Sequence, residues 1–211
     1  MSDKDEEITY GVPRLLAFVE AAYLREAMLA AFQTLDRKRK DLDSSDRDEL
    51  GNLNATDQAL RRAFFISFFA ILEQNLDEVV TMAGERLGKR LKPSDLRARG
   101  VKRSLAFAEK VLGADIDTSK SPWAEVIELQ ELRNHLVHYG SGFDSSKEHR
   151  RRRQRFERID GIQMRPMICF AKHVLEGFLG YFAECVSTLL DSLPELPPEE
   201  ISNRTESDDL G

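Results

Sequence analysis

The chain has only two cysteines in 211 residues, and neither can serve as a staple for the other. Cys169 and Cys185 lie 16 residues apart in what reads as one helix, which puts them about 24 Å apart by helical rise. No disulfide can bridge that distance within one molecule. The pattern fits a reducing compartment, though two core thiols in a secreted protein would look the same. Long apolar runs are also missing. The longest, near Ala63 to Leu72, is interrupted by Ser67 and falls far short of the roughly 20 residues that a bilayer requires. No basic start leads into an apolar leader core. These absences predict a soluble, cytoplasmic protein with no membrane partner. His135 and His138 are three residues apart, but no cysteine or carboxylate set at zinc spacing accompanies them. A phosphate-cradling Walker loop and a dinucleotide fingerprint are both absent, so neither metal nor cofactor is expected. Without internal repeats or a series of strand-like segments, the chain reads as all-α.

With 41% hydrophobic and 32% charged residues, the chain is long enough for one well-formed core and short for two. Acids are concentrated at the ends: residues 1 to 7 carry a net −3 and residues 194 to 211 a net −5, out of a formal −6. The body between them is left at about +2, so the overall acidity does not argue against a polyanionic partner. The expected organisation is an acidic N-terminal tail over 1–11, a helical domain over 12–193 containing a basic loop at 140–165, and a disordered acidic tail over 194–211.

About five helices in an up-and-down bundle are predicted. Pro13 suits a helix start, and Leu15, Leu16, Val19, Ala22, Tyr23, Leu24 and Ala27 recur at helical spacing before a charged linker at Arg37 to Asp48. A second helix begins after Asn54-Ala55-Thr56-Asp57 and runs to a break near Gly88. It is apolar nearly all round in its first half, as befits the centre of a bundle or a partner interface. Pro93-Ser94-Asp95 starts a shorter helix that stops at Gly113. Ser121-Pro122 opens a fourth that stops at Gly140, with Ser as N-cap and Pro as the first helical residue. Gly140 to Arg165 reads as irregular, with room for a short hairpin around 156–164, before a last amphipathic helix at Met167 to Leu193.

Two charges stand where folding alone does not need them. With about 100° per residue, Val126, Leu129, Leu136 and Val137 fall within roughly 60° of Arg133, so a guanidinium points where the apolar residues point. Asn134 lies on the far side of this arc, His138 just beyond its edge, and His135 faces almost directly away. On the second helix, Ile66, Phe69, Leu76 and Val80 lie within roughly 60° of Glu73. An unpaired buried ion costs several kcal/mol, so Glu73 and Arg133 are expected to approach each other. Such a pair serves equally as a register-fixing core ion pair or as a holder of Arg133 for chemistry. The motif arc is also larger than a monomer core should need, which predicts a dimer that includes this helix.

The spacing R-N-x-x-x-H at the end of an amphipathic helix, here Arg133-Asn134-His135-Leu136-Val137-His138, resembles the signature of the HEPN superfamily. Ser121-Pro122-Trp123 before it and the apolar helix with Leu72-Glu73-Gln74-Asn75-Leu76 strengthen the match, which covers roughly Ala55 to Leu193. The resemblance implies a dimerising helical bundle and, in many members, a metal-independent ribonuclease whose Arg and His meet across the dimer. Cleavage of RNA without metal needs a base for the ribose 2′-OH, an acid for the leaving oxygen and a cation for the phosphorane. His138 and Arg133 supply those types, and Asn134 is suited to orient His138 or phosphate. Without the resemblance, a helix-terminal histidine and an arginine that pair with carboxylates would be the plainer account. His135→Ala is expected to matter little for cleavage, since His135 faces away from the site.

The following run carries seven basic residues, Lys147, Arg150, Arg151, Arg152, Arg153, Arg155 and Arg158. Beside a phosphate-cleaving site it would recruit RNA with strong salt dependence; as a solvated loop or import signal it would do neither. The leading expectation is a homodimeric ribonuclease acting as a toxin or phage-defence effector, with a cognate antitoxin or regulatory protein as a further partner. The alternatives are a non-catalytic module of the same type that binds RNA, a nucleotide or a partner protein, and a structural helical adaptor.

Overall fold

The computed structural model describes residues 11–43 and 45–195, and the two acidic tails lie outside them apart from Gly11, Pro194 and Glu195. The fold is an all-α bundle: six α-helices and one small hairpin among the described residues. In chain order these are α1 (Gly11–Asp41), α2 (Arg47–Arg86), α3 (Val101–Phe107), α4 (Trp123–Tyr139), α5 (Lys147–Phe156), β1 (Ile162–Met164), β2 (Ile168–Phe170) and α6 (Lys172–Ser192). A 3-10 turn at Pro93–Asp95 precedes α3, and a π turn at Ala108–Leu112 extends it to Gly113. No helix among the described residues is long and apolar enough to cross a membrane.

The 40-residue α2 is the centre of the bundle and packs against α1, α3, α4, α6 and β2. Its Phe65, Phe68 and Phe69 surround Phe178 of α6 with ring centroids 5.6 to 6.0 Å apart, and Phe65 also meets Phe170 of β2 at 5.0 Å. Each such ring contributes about 1.5–3 kcal/mol by leaving water. At its other end Gly84 leaves room for Phe107, whose ring lies 3.2 Å from where a Cβ at 84 would stand.

Several boundaries differ from the sequence expectation. The charged stretch read as a linker is mostly helix, because Lys38, Arg39 and Lys40 oppose the negative end of α1 while Asp48 and Glu49 open α2. The segment read as irregular after Gly140 holds α5, capped by Ser146, whose Oγ accepts from His149 N at 3.1 Å. The hairpin lies at 162–170, pairing Ile162 with Phe170 and Met164 with Ile168, and so delays the last helix to Lys172. Trp123, not Pro122, is the first helical residue of α4. The hairpin's outer edge is covered by two side chains and one main-chain carbonyl: Gln58 of α2 donates to Phe170 O and accepts from Phe170 N, Arg62 donates to Ile168 O, and the main-chain carbonyl of Ser141 accepts from Ile168 N.

Candidate functional site

Two carboxylates one turn apart on α2, Glu73 and Asp77, meet two guanidiniums from neighbouring helices. Arg133 Nη2 of α4 lies 3.1 Å from Glu73 Oε2, with the side chains 23% and 16% exposed. The pair expected from the two apolar stripes is therefore formed. Arg103 of α3 takes Asp77 with its Nε and Nη2, and Ser104 Oγ donates to Asp77 Oδ1 at 2.5 Å. The result is a ladder of alternating charge between α2, α3 and α4. Burial pushes the Glu73 carboxyl above its ordinary range; Arg133 pulls against that, Asp77 adds to it and Arg103 opposes it.

Gly100, at φ +59°, allows the chain before α3 to close over this ladder. A Cβ there would stand 2.5 Å from Glu73 Oε1 and 2.8 Å from Gln130 Nε2. Gln130, buried on α4, holds the same turn by donating to Arg99 O at 3.1 Å and accepting from Lys102 N at 3.4 Å. Neither Gly100 nor Gln130 stood out in the sequence; a glycine just ahead of a helix was the only signal. Arg133 also donates to Asn134 Oδ1 at 3.0 Å, so the asparagine turns to the arginine. Arg133 Nε and Glu73 Oε1 are buried without a hydrogen-bond partner.

His138 is exposed on the last turn of α4, its ring 6.5 Å from that of Tyr139. Five residues separate it from Arg133, which on one helix means about 140° of rotation and roughly 7.5 Å of rise. A single chain thus presents the two groups to different sides. His135 faces away from the bundle, as the wheel placed it, yet it is 1% exposed: its ring stacks on Phe143 at 4.4 Å and Tyr139 at 5.3 Å. His135 Nε2 donates to Gly142 O at 3.0 Å. Val137, placed by the same wheel in the buried arc, is 48% exposed. His135 is buried because the chain folds back after Gly140 and α5 covers the side of α4 opposite the bundle.

That cover is anchored by His149 and Phe156, the buried residues of α5, which meet the His135 ring edge-on at 5.3 and 5.7 Å. His149 Nδ1 accepts from Asp144 N at 3.0 Å. Arg152 lies over Tyr139 at 5.2 Å and pairs with Glu148. Arg153 pairs with Glu157 at 3.1 Å and donates to Met164 O, and Arg155 lies 3.3 Å from Glu128 of α4. Lys147, Arg150, Arg151 and Arg158 make no ion pair among the described residues. They share one exposed side of α5 and its following turn, at positions i, i+3, i+4 and i+11. The seven basic residues therefore divide into three that fasten α5 and four that face outward.

Two concave regions lie away from the Arg133 ladder. One, lined by Asn54, Gln58, Arg165, Met167 and Phe170, sits between α2 and the hairpin. The other, of about 350 Å³, separates α4 from α6. Among the described residues no three His, Cys, Asp or Glu side chains converge as a metal site. No protein-family model, curated protein or solved structure matches this chain.

Proposed function

We propose that the protein is a metal-independent endoribonuclease of HEPN type, a toxin or phage-defence effector working in the cytoplasm as a homodimer. In this reading the 2′-OH of the substrate loses its proton and attacks the adjacent phosphorus as the P–O5′ bond breaks, leaving a 2′,3′-cyclic phosphate on one fragment and a newly protonated 5′-OH on the other. His138 moves the proton and Arg133 steadies the charge on the phosphorane. The observation that carries the reading is α4 itself: within its last turn and a half it combines a guanidinium fixed by Glu73 with an exposed imidazole. A fixed fork of donors costs little reorganisation when phosphate arrives. Because the two groups diverge on one helix, the active site is composite, and Val137, exposed on the same side as Arg133, belongs to the face that meets the second copy. The outward basic residues of α5 recruit RNA through its phosphates.

A second reading, a non-catalytic module that binds RNA, a nucleotide or a partner protein, is favoured by the engagement of Arg133 with Glu73 and Asn134 inside its own chain. Incubating the protein with total RNA in EDTA separates the two. The ribonuclease reading expects cleavage to cyclic-phosphate ends, loss of cleavage in His138→Ala and Arg133→Ala, and intact DNA. Cleavage that survives His138→Ala at parental rate, or that needs magnesium, leaves the binding module as the better account.

A further inference from the structure

Residues 85–103 span the link from α2 to α3 and carry eight basic side chains against two acidic ones. Arg86 is half-buried, and Lys102 and Arg103 are taken by Glu131 and Asp77. The other five, Lys89, Arg90, Lys92, Arg97 and Arg99, are exposed and make no ion pair among the described residues. Asp95, the one acid among them, is engaged by the main chain: its carboxylate accepts from Lys92 N at 2.8 Å. The other dense basic run outside α5, at 36–46, holds four basic and four acidic residues and so cancels. The link is mostly not helical, yet it is held in place. Lys89 N donates back to Gly84 O at 2.9 Å, Pro93 is buried, Leu96 packs on the core, and Arg99 O accepts from Gln130. Exposure alternates from Leu96 to Gly100, which leaves Arg97 and Arg99 both turned to solvent.

This patch adjoins the Arg133 ladder. Gly100, next to Arg99, lies against Glu73, and Lys102 Nζ pairs with Glu131 at 2.7 Å. Glu131 and His138 are seven residues apart, which puts them on one side of α4 with His138 about 10 Å further along. The adjoining side of α4 is covered by α5, where Arg155 takes Glu128 and Arg152 lies over Tyr139. His138 thus stands between two basic elements. Glu128 and Glu131, which would repel phosphate, are each neutralised by one of them. Free positive charge in a fixed array calls for a polyanion. Leu91 is the one large apolar side chain exposed among the five cations, too little for a membrane surface or for the apolar centre of a protein interface. A phosphate backbone needs none. We propose that the segment from Lys89 to Arg99 is a second phosphate-binding surface, and that one RNA chain passes from it across the His138 side of α4 to the outward residues of α5. This inference rests on the reading of the protein as one that acts on or binds RNA, and gives that reading a path for the strand.

Fluorescence anisotropy of the full chain with labelled single-stranded RNA, across a salt series in EDTA, tests it. Replacing all five residues by Gln should weaken binding at least about ten-fold and lower the slope of log affinity against log salt by up to about 3.5, with the melting temperature unchanged. The loss should be the same for RNAs of different sequence, because phosphates carry none. A matched pair of triple variants separates the surface from net charge. Arg90→Gln, Arg97→Gln and Arg99→Gln together should weaken binding several-fold, whereas Gln at Arg37, Lys38 and Lys40, the same change in charge, should stay within about two-fold of the parent. If the five-residue variant does not fold, this pair decides. Gln at Lys147, Arg150 and Arg151 should also weaken binding, with the stoichiometry of RNA to protein unchanged in every variant; separate sites would instead lose half the bound RNA and keep one site at parental affinity, which would overturn the shared path. Parental affinity in the five-residue variant, equal losses in the two triples, or a loss confined to one sequence would overturn the surface. So would a parent that binds phosphatidylserine vesicles or polyglutamate through these residues and no RNA. RNA binding that depends on the five without any cleavage refutes only the ribonuclease, and cleavage of subsaturating RNA at parental rate by the five-residue variant refutes only the surface.

Discussion

Buried polar atoms decide what single residues do here. Removing the Glu73 carboxylate leaves a largely buried guanidinium without its ion partner, so Glu73→Ala should lose about 3 kcal/mol in urea unfolding. A variant that unfolds at the parental urea midpoint would mean that Arg133 finds another partner. His135 titrates in the opposite sense. Burial holds its imidazole below the ordinary value of 6.5, against the Gly142 carbonyl bond that raises it; His149 and Arg152 add to the lowering and Asp144 opposes it. As pH falls below 6.5 the unfolded chain takes up a proton at this residue that the folded chain refuses, so the stability it contributes is lost with acidification. The slope of unfolding free energy between pH 7.5 and 5.5 should be positive and should flatten in His135→Phe, which keeps the stack on Phe143 but cannot ionise. His135→Ala should cost about 3 kcal/mol because it empties an aromatic site.

At the level of elements, α5 carries the sharpest expectation. Neutralising Lys147, Arg150, Arg151 and Arg158 to Gln should lower the slope of log affinity for RNA against log salt by up to about 3 and leave the melting temperature unchanged. The same change at Arg152, Arg153 and Arg155 should do the reverse, since those three bind Glu148, Glu157 and Glu128. Filter binding across a salt series, with a thermal melt of each variant, checks both. The sequence already read α2 as the centre of a bundle or a partner interface and paired Glu73 with Arg133, because an ion on an apolar stripe has few places to go. It did not reveal α5. A run dominated by arginine hides its periodicity, and the signal lay in Ser146 as a cap and in His149 and Phe156 seven residues apart, which bury one thin side of the helix. A helical wheel of α4 supposes one buried face, and so it missed the burial of His135, which α5 covers from behind.

For the molecule as a whole, the two cysteines report whether the bundle opens as a unit. Burial pushes the Cys185 thiol up to about 12, with the carboxylates of Glu184 and Glu125 adding to the effect, while Cys169 on β2 is only half-buried. A disulfide reagent at pH 8 should titrate one thiol quickly in the native protein and the second only in denaturant. Two fast equivalents would mean that α6 leaves the phenylalanine cluster independently of the rest.

The carboxamide of Gln58 does for Phe170 what the peptide group of a neighbouring strand would do, offering one donor and one acceptor to the same residue. With the Arg62 guanidinium on Ile168 O and the main-chain carbonyl of Ser141 on Ile168 N, the outer edge of β2 has no ladder left to offer. Sheet growth from that edge, whether into a domain-swapped pair or a fibril, is closed to this hairpin, and any self-association that depends on β2 must be made by side chains alone.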